Sequence, residues 1–167
     1  MKQKIRSSGR FKIICRNADG SVAWKELVSN GVCTAGLNYL LDAGFRGQTP
    51  ITTWYIGLIT ASGFSAVSTD DTASSHAGWT ENTSYSQSVR VTWTPRAASG
   101  GAITNPARAT FSINAATTIR GAFLISNSTK GGTTGTIWAT GILSADRALL
   151  SGQAIDIEYE TTLVGGG

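Results

Sequence analysis

In two runs, residues 89–94 and 108–113, the chain alternates apolar and polar side chains one for one. Val89, Val91 and Trp93 alternate with Arg90, Thr92 and Thr94, and Ala109, Phe111 and Ile113 alternate with Arg108, Thr110 and Ser112. A side-chain period of two places the two sets on opposite faces of a strand and is incompatible with a helix. Pro95 and Ala98-Ser99-Gly100-Gly101 interrupt the runs and supply the turn between them. Each of these strands is expected to have one buried and one polar face.

The same punctuation recurs along the chain. Phe11, Ile13 and Cys15 share one face with Lys12 and Arg16 on the other, Asn17-Ala18-Asp19-Gly20 turns, and Ser21 to Val28 returns as the second arm of a hairpin. Thr53 to Thr60 is apolar on both faces, the pattern of a central strand covered on each side. Ile119 to Asn127 and Thr136 to Leu143 read as strands joined by a turn at Ser128 to Thr133, and Ala145 to Gln153 reads as a connection turning at Ser151-Gly152. The last strand places Ile155, Ile157, Tyr159 and Leu163 inward and Asp156, Glu158 and Glu160 outward. Only residues 30–44 change period: Val32, Gly36, Leu40 and Ala43 line one helical face with Leu37 and Leu41 beside them. One helix is therefore expected at about 31–43, capped by Asn30 or Thr34 and ended by Gly44.

About eight or nine short strands with one helix indicate a mainly β fold, an antiparallel β-sandwich or jelly roll, with a closed barrel as the alternative. At 167 residues a single domain is expected over 10–167, preceded by a basic arm at 1–9.

Charge is distributed unevenly. Lys2, Lys4, Arg6, Arg10, Lys12 and Arg16 are the only charged residues in the first sixteen, so the net charge of +4 combines a cationic leading segment with a slightly acidic remainder. Such a segment is expected to dock on an acidic surface. Nucleic acid is the weaker reading, because Phe11 is the one aromatic there and stacking platforms need several. The four apolar residues around Ile13 fall short of a secretory core, and no run approaches a membrane span. Synthesis in a cytosol-like compartment and no membrane partner are expected. Cys15 and Cys33 fit no metal spacing and are expected to be reduced and buried.

Little in the chain suggests chemistry. Asp70, Asp71, Ser74, Ser75 and the single His76 contain the parts of a Ser/His/Asp set, but all lie in one polar stretch from Ala61 to Gly78, where a catalytic triad needs separated positions on a scaffold. The same carboxylates lack the ladder of a calcium loop. Lys130-Gly131-Gly132 places its lysine before the glycines, the reverse of a phosphate loop, and reads as a hairpin turn. No cofactor, metal or small-molecule substrate is expected. The long stretch, with Asp70, Asp71, His76 and Trp79, is instead the first candidate for a contact surface, Trp79 serving as an anchor. Asp156, Glu158 and Glu160 form either a solvated face or a docking strip for a basic partner.

Several short blocks carry a resemblance: Asn30-Gly31-Val32, Ala35 to Asp42, Trp54 to Ile59, Ser75 to Glu81, Arg90 with Trp93-Thr94-Pro95, Leu124 to Ser128 and Gly135 to Ala139. Together these resemble small virion proteins of tailed bacteriophages over about residues 30 to 163, leaving the basic arm unmatched. The resemblance implies a structural, non-enzymatic protein. It further implies a cement or decoration protein on the capsid surface, partnered by the major capsid protein and by itself as a dimer or trimer. The alternatives are a neck, tail or fibre-base component, or a carbohydrate-binding module stacking a sugar on Trp79 and Tyr85.

Overall fold

The opening hairpin forms where alternation and turn chemistry place it. In the computed structural model, which describes residues 5–165, β1 (Ile5–Arg16) leads through the turn into β2 (Val22–Val32). Asn17 and Ser21 close that turn by a backbone bond of 2.9 Å, and the Asp19 carboxylate accepts the Ser21 N–H at 2.9 Å. Gly20 takes a φ of 84°, a conformation that costs glycine little.

β1 begins earlier than the alternation suggests. It pairs antiparallel with β10 (Ala154–Gly165) from Ile5 opposite Gly165 to Arg16 opposite Ala154. Residues 5–9, expected to belong to an arm, are therefore strand, because β10 offers them a continuous row of backbone partners. Lys2 and Lys4 lie outside the described residues.

The remaining strands are β3 (Trp54–Thr60), β4 (Glu81–Asn82), β5 (Val91–Trp93), β6 (Ala102–Thr104), β7 (Ala109–Ser112), β8 (Thr117–Ile125) and β9 (Ile137–Leu149). All pairings are antiparallel, in the order β4-β3-β8-β9-β2-β1-β10-β6, with β5 also on β3 and β7 also on β10. The fold is mainly β with one helix, as the periodicity implies. Ten strands among the described residues exceed the expected number because β4 and β6, two and three residues long, are too short to leave a periodic signal.

Two segments depart from expectation. Ala145 to Leu149, read as part of a connection, continues β9, and Arg147 to Leu149 pair with Thr117 to Ile119 after an irregularity in β8. Ala145 to Ala148 are small or charged and carry no alternation, and β8 supplies the pairing of Arg147 to Leu149. Arg90, expected on a polar face, is buried while Val89 is exposed, and regular strand begins only at Val91.

The sheet curls until its ends face each other across one core, which includes Phe11, Ile13, Ile56, Leu58, Leu124, Ile157 and Tyr159. Trp93 of β5 bridges the layers, its indole N–H shared between the Asn105 side chain at 3.0 Å and the Tyr159 carbonyl at 3.2 Å. A second core lies on the other face of β3 and β8, where Ile59, Phe123 and Ile125 pack with Trp79, Ala73 and Cys33. β3 is thus covered on both sides, as its two-faced apolar run predicts. Gly57 lacks a side chain where the Phe123 ring crosses the strand, and a Cβ there would collide with that ring.

Helix α1 (Thr34–Phe45) lies close to the expected span but ends differently. Cys33 is its N-cap residue without a side-chain bond, Arg46 donates its N–H to the Asp42 carbonyl at 2.9 Å, and the left-handed residue is Gly47, with φ 69°, rather than Gly44. Gly36 seats the helix against β9: a Cβ there would lie 2.9 Å from the Trp138 Cα. The Tyr39 ring meets Trp54 edge-on at 5.6 Å. Leu37, Leu40 and Leu41, on or beside the apolar face that the spacing marks out, remain partly exposed.

Candidate functional site

The cations of β1 face the carboxylates of β10. Antiparallel register sets Arg10 opposite Glu160 and Lys12 opposite Glu158 on the outer face of the sheet. Arg10 reaches Glu160 at 3.0 Å, and Arg16 donates Nε–H to Asp156 at 2.8 Å, where the Thr110 hydroxyl adds a bond of 2.7 Å. Arg108 stands 3.8 Å from Glu158. The acidic strip, read either as a solvated face or as a docking strip, meets cations of its own chain. Arg6 is exposed beside Val164. Along this ladder runs an open groove of about 490 Å³, bordered by Lys12, Lys25 and Leu27.

The stretch from Ala61 to Thr80 is a cover over the outer face of β3 and β8. Phe64 and Val67 pack down on the second core. Trp79, expected as an exposed anchor, is buried beside Phe123 at 5.0 Å, with its indole N–H donated to Asp71 at 2.8 Å. Asp71 is buried too and also accepts the Ser68 N–H at 2.8 Å, whereas Asp70 is exposed and accepts from the Thr34 hydroxyl at 3.2 Å. His76 stacks on Trp79 at 4.1 Å and holds Nδ1 2.9 Å from the Trp79 carbonyl.

These contacts separate the parts of the supposed catalytic set. His76 Nδ1 meets a carbonyl where a triad needs a carboxylate, and Ser74 bonds the Thr72 hydroxyl at 3.3 Å. Among the described residues no three His, Cys, Asp or Glu side chains are placed to hold a metal ion. Trp79 and Tyr85 are both buried and offer no face on which a sugar could stack, which removes the basis of the carbohydrate-binding alternative. Among the described residues no helix is long and apolar enough to cross a membrane.

Beside the cover lies a charged knot that sequence reasoning missed. Arg90 donates to both carboxylate oxygens of Glu81, the shortest bond being 2.8 Å, and to the carbonyls of Asn127 and Gly132 at 2.9 Å each. Glu81 also accepts the Gly131 N–H at 2.7 Å. Lys130 donates to the carbonyls of Tyr85 and Gln87 at 2.7 and 2.9 Å with its ammonium over the Tyr85 ring at 4.0 Å. The β8–β9 turn is thereby stapled to the segment around β4, and the lysine binds protein carbonyls. The cysteines are buried free thiols; burial, reinforced by the Asp71 charge, pushes the Cys33 thiol up to about 12.

Two side-chain systems therefore stand out: a neutralised ladder on the outer face, and a cover locked by Asp71–Trp79 and Glu81–Arg90. Neither presents an activated nucleophile.

Residues 31–164 match the family described as Podophage GP4 fiber I protein gp80. The chain belongs to that family. No curated protein matches it. The family match spans α1, the cover, the Glu81–Arg90 knot and nearly all of β10, but not β1 or β2 before Gly31. The ladder is thus composite, with its carboxylates inside the family span and its β1 cations outside. Membership makes the chain a structural component of a bacteriophage virion, in agreement with the resemblance carried by its short blocks.

Proposed function

We propose that this chain is a structural subunit of a podophage fibre, working by shape and adhesion. The family match across residues 31–164 carries this reading, since the family is described by a fibre protein. The buried Asp71 of the cover and the buried Glu81–Arg90 pair support it, because they rigidify the body of the protein.

The ladder bears on where in the virion the protein sits. A cement position on the capsid surface would rely on Lys2 to Arg16 to hold an acidic shell, and Arg10 and Arg16 are already engaged by Glu160 and Asp156. Less free positive charge remains for an acidic shell, and this favours the fibre.

Copy number tests the proposal. Quantitative mass spectrometry of purified virions, with immunogold labelling, is expected to find about six to twelve copies or a small multiple, located at the tail. Hundreds of copies spread over the head would overturn the fibre reading and return the protein to the shell.

A further inference from the structure

We infer that Lys12 and Lys25 form an anion site in the outer groove, and that its ligand is a phosphomonoester carried on a hydroxyl-bearing body such as a sugar. Antiparallel register sets Lys12 opposite Leu27 and Ile14 opposite Lys25, so the two lysines are diagonal neighbours on one face of the sheet. Positions so related lie about 7–8 Å apart, and two flexible lysine stems can bring both ammonium groups to one anion between them. Both residues are exposed, and among the described residues neither makes an ion pair. Each carboxylate that borders the groove already has an arginine: Glu160 has Arg10 at 3.0 Å, Glu158 has Arg108 at 3.8 Å and Glu26 has Arg147 at 2.8 Å. The two lysines are the positive charge left over.

Charge and shape identify the ligand. Two ammonium groups balance a phosphomonoester, which carries close to two negative charges at neutral pH. A carboxylate carries one, and its planar oxygens suit the guanidinium fork, which here is committed to Glu160. Lysine meets a tetrahedral phosphate as a point charge. β1 lies between β2 and β10, so Lys12 separates the β10 carboxylates from Lys25, and the anion is held on the β2 side. The groove's volume of about 490 Å³ exceeds the need of a lone phosphate and falls in the range of about 300–1,000 Å³ of small-molecule sites. The rest of the ligand meets Arg10, Glu158 and Glu160, whose donors and acceptors alternate along the ladder as hydroxyl groups require. Leu27, 59% exposed, gives a wall for its C–H edges. A nucleic-acid strand would find no aromatic side chain in the groove on which to stack a base. An acyl chain would find Leu27 as the one apolar side chain lining it.

The full-length chain tests this in solution, independently of its place in the virion. Glucose 6-phosphate titrated into the wild type, followed by backbone amide chemical shifts, is expected to give saturable changes centred on residues 10–12 and 25–27. Lys12→Gln and Lys25→Gln are each expected to weaken binding about tenfold, the loss of one charge-assisted contact, and the double variant to abolish it. Glucose at the same concentrations is expected to leave the spectrum unchanged. Changes in the wild type that do not saturate, or that centre elsewhere, would overturn the inference. So would unchanged affinity in the folded lysine variants, or glucose binding as tightly as its phosphate. Both lysines are exposed, so the variants are expected to keep the wild-type amide dispersion. Should one misfold, the wild-type shift map and the glucose control still decide.

Discussion

Arg90 and Glu81 meet at 2.8 Å with 2% and 6% of their side chains exposed, whereas Arg10 and Glu160 meet at 3.0 Å with 55% and 30% exposed. The distances are nearly equal and the surroundings are not. Buried among carbonyls and the Phe123 ring, the first pair lies in a medium where an unpaired charge is very costly, so each partner makes the other indispensable. Water and salt screen the second pair, and its role is to neutralise β1 against β10. Between them stands Arg147 with Glu26, at 2.8 Å and with 34% and 15% exposed. Contact geometry alone therefore does not rank these pairs; burial does.

The steepest test removes the guanidinium from the knot. Arg90→Met leaves the Glu81 carboxylate buried and unpaired, and a loss of about 3–5 kcal/mol is expected, seen as a fall of roughly 10 °C in the thermal midpoint. A change below about 1 kcal/mol would place this pair with the exposed ones and end the contrast.

Glu26 should fall in the middle. Burial raises its pKa, but hydrogen bonds from Arg147 and Ser144 outweigh that and leave it below the ordinary value of 4.5. A lowered folded-state pKa contributes stability above the unfolded value, and the contribution is lost as pH falls through the folded one. Glu26→Gln is therefore expected to cost about 1–2 kcal/mol at neutral pH. The difference from wild type should vanish in acid, as followed by urea denaturation across the carboxylate range. A cost independent of pH would mean that packing and not charge holds this residue.

The ladder should give the smallest effect. A double-mutant cycle on Arg10→Ala and Glu160→Gln is expected to give a coupling of about 0.2–1 kcal/mol, abolished in about 1 M salt. Persistence of the coupling at high salt would show that the exposed pair behaves as a buried one.

The ladder also changes what a truncation can show. Removing residues 1–16 to test docking would delete β1, which lies between β2 and β10 in the sheet. Arg6→Ser, at an exposed position, is the milder probe of adhesion by charge.

Much of the fold was legible because the signals that carry it are local. Alternation at Ala109 to Ser112, the Asn17 to Gly20 turn and the two-faced run of β3 each declare themselves within a few residues. The sites were poorly legible. Trp79 carries no mark distinguishing a core residue from an exposed anchor, and only the Asp71 carboxylate and Phe123 ring folded against it decide. Arg90 obeyed the alternation on paper, yet Glu81 and two turn carbonyls draw it inward. The leucines of α1 show helical spacing that predicts an apolar face, and spacing is silent on whether that face meets this chain's sheet.

By itself, then, the amino-acid order determined a chain of short antiparallel strands with one helix, because side-chain periods and turn residues act over a few positions. Tertiary structure alone decided which charges cancel and which apolar faces remain bare. Arg16 and Asp156 are 140 residues apart, and only the register of the assembled sheet brings them into contact.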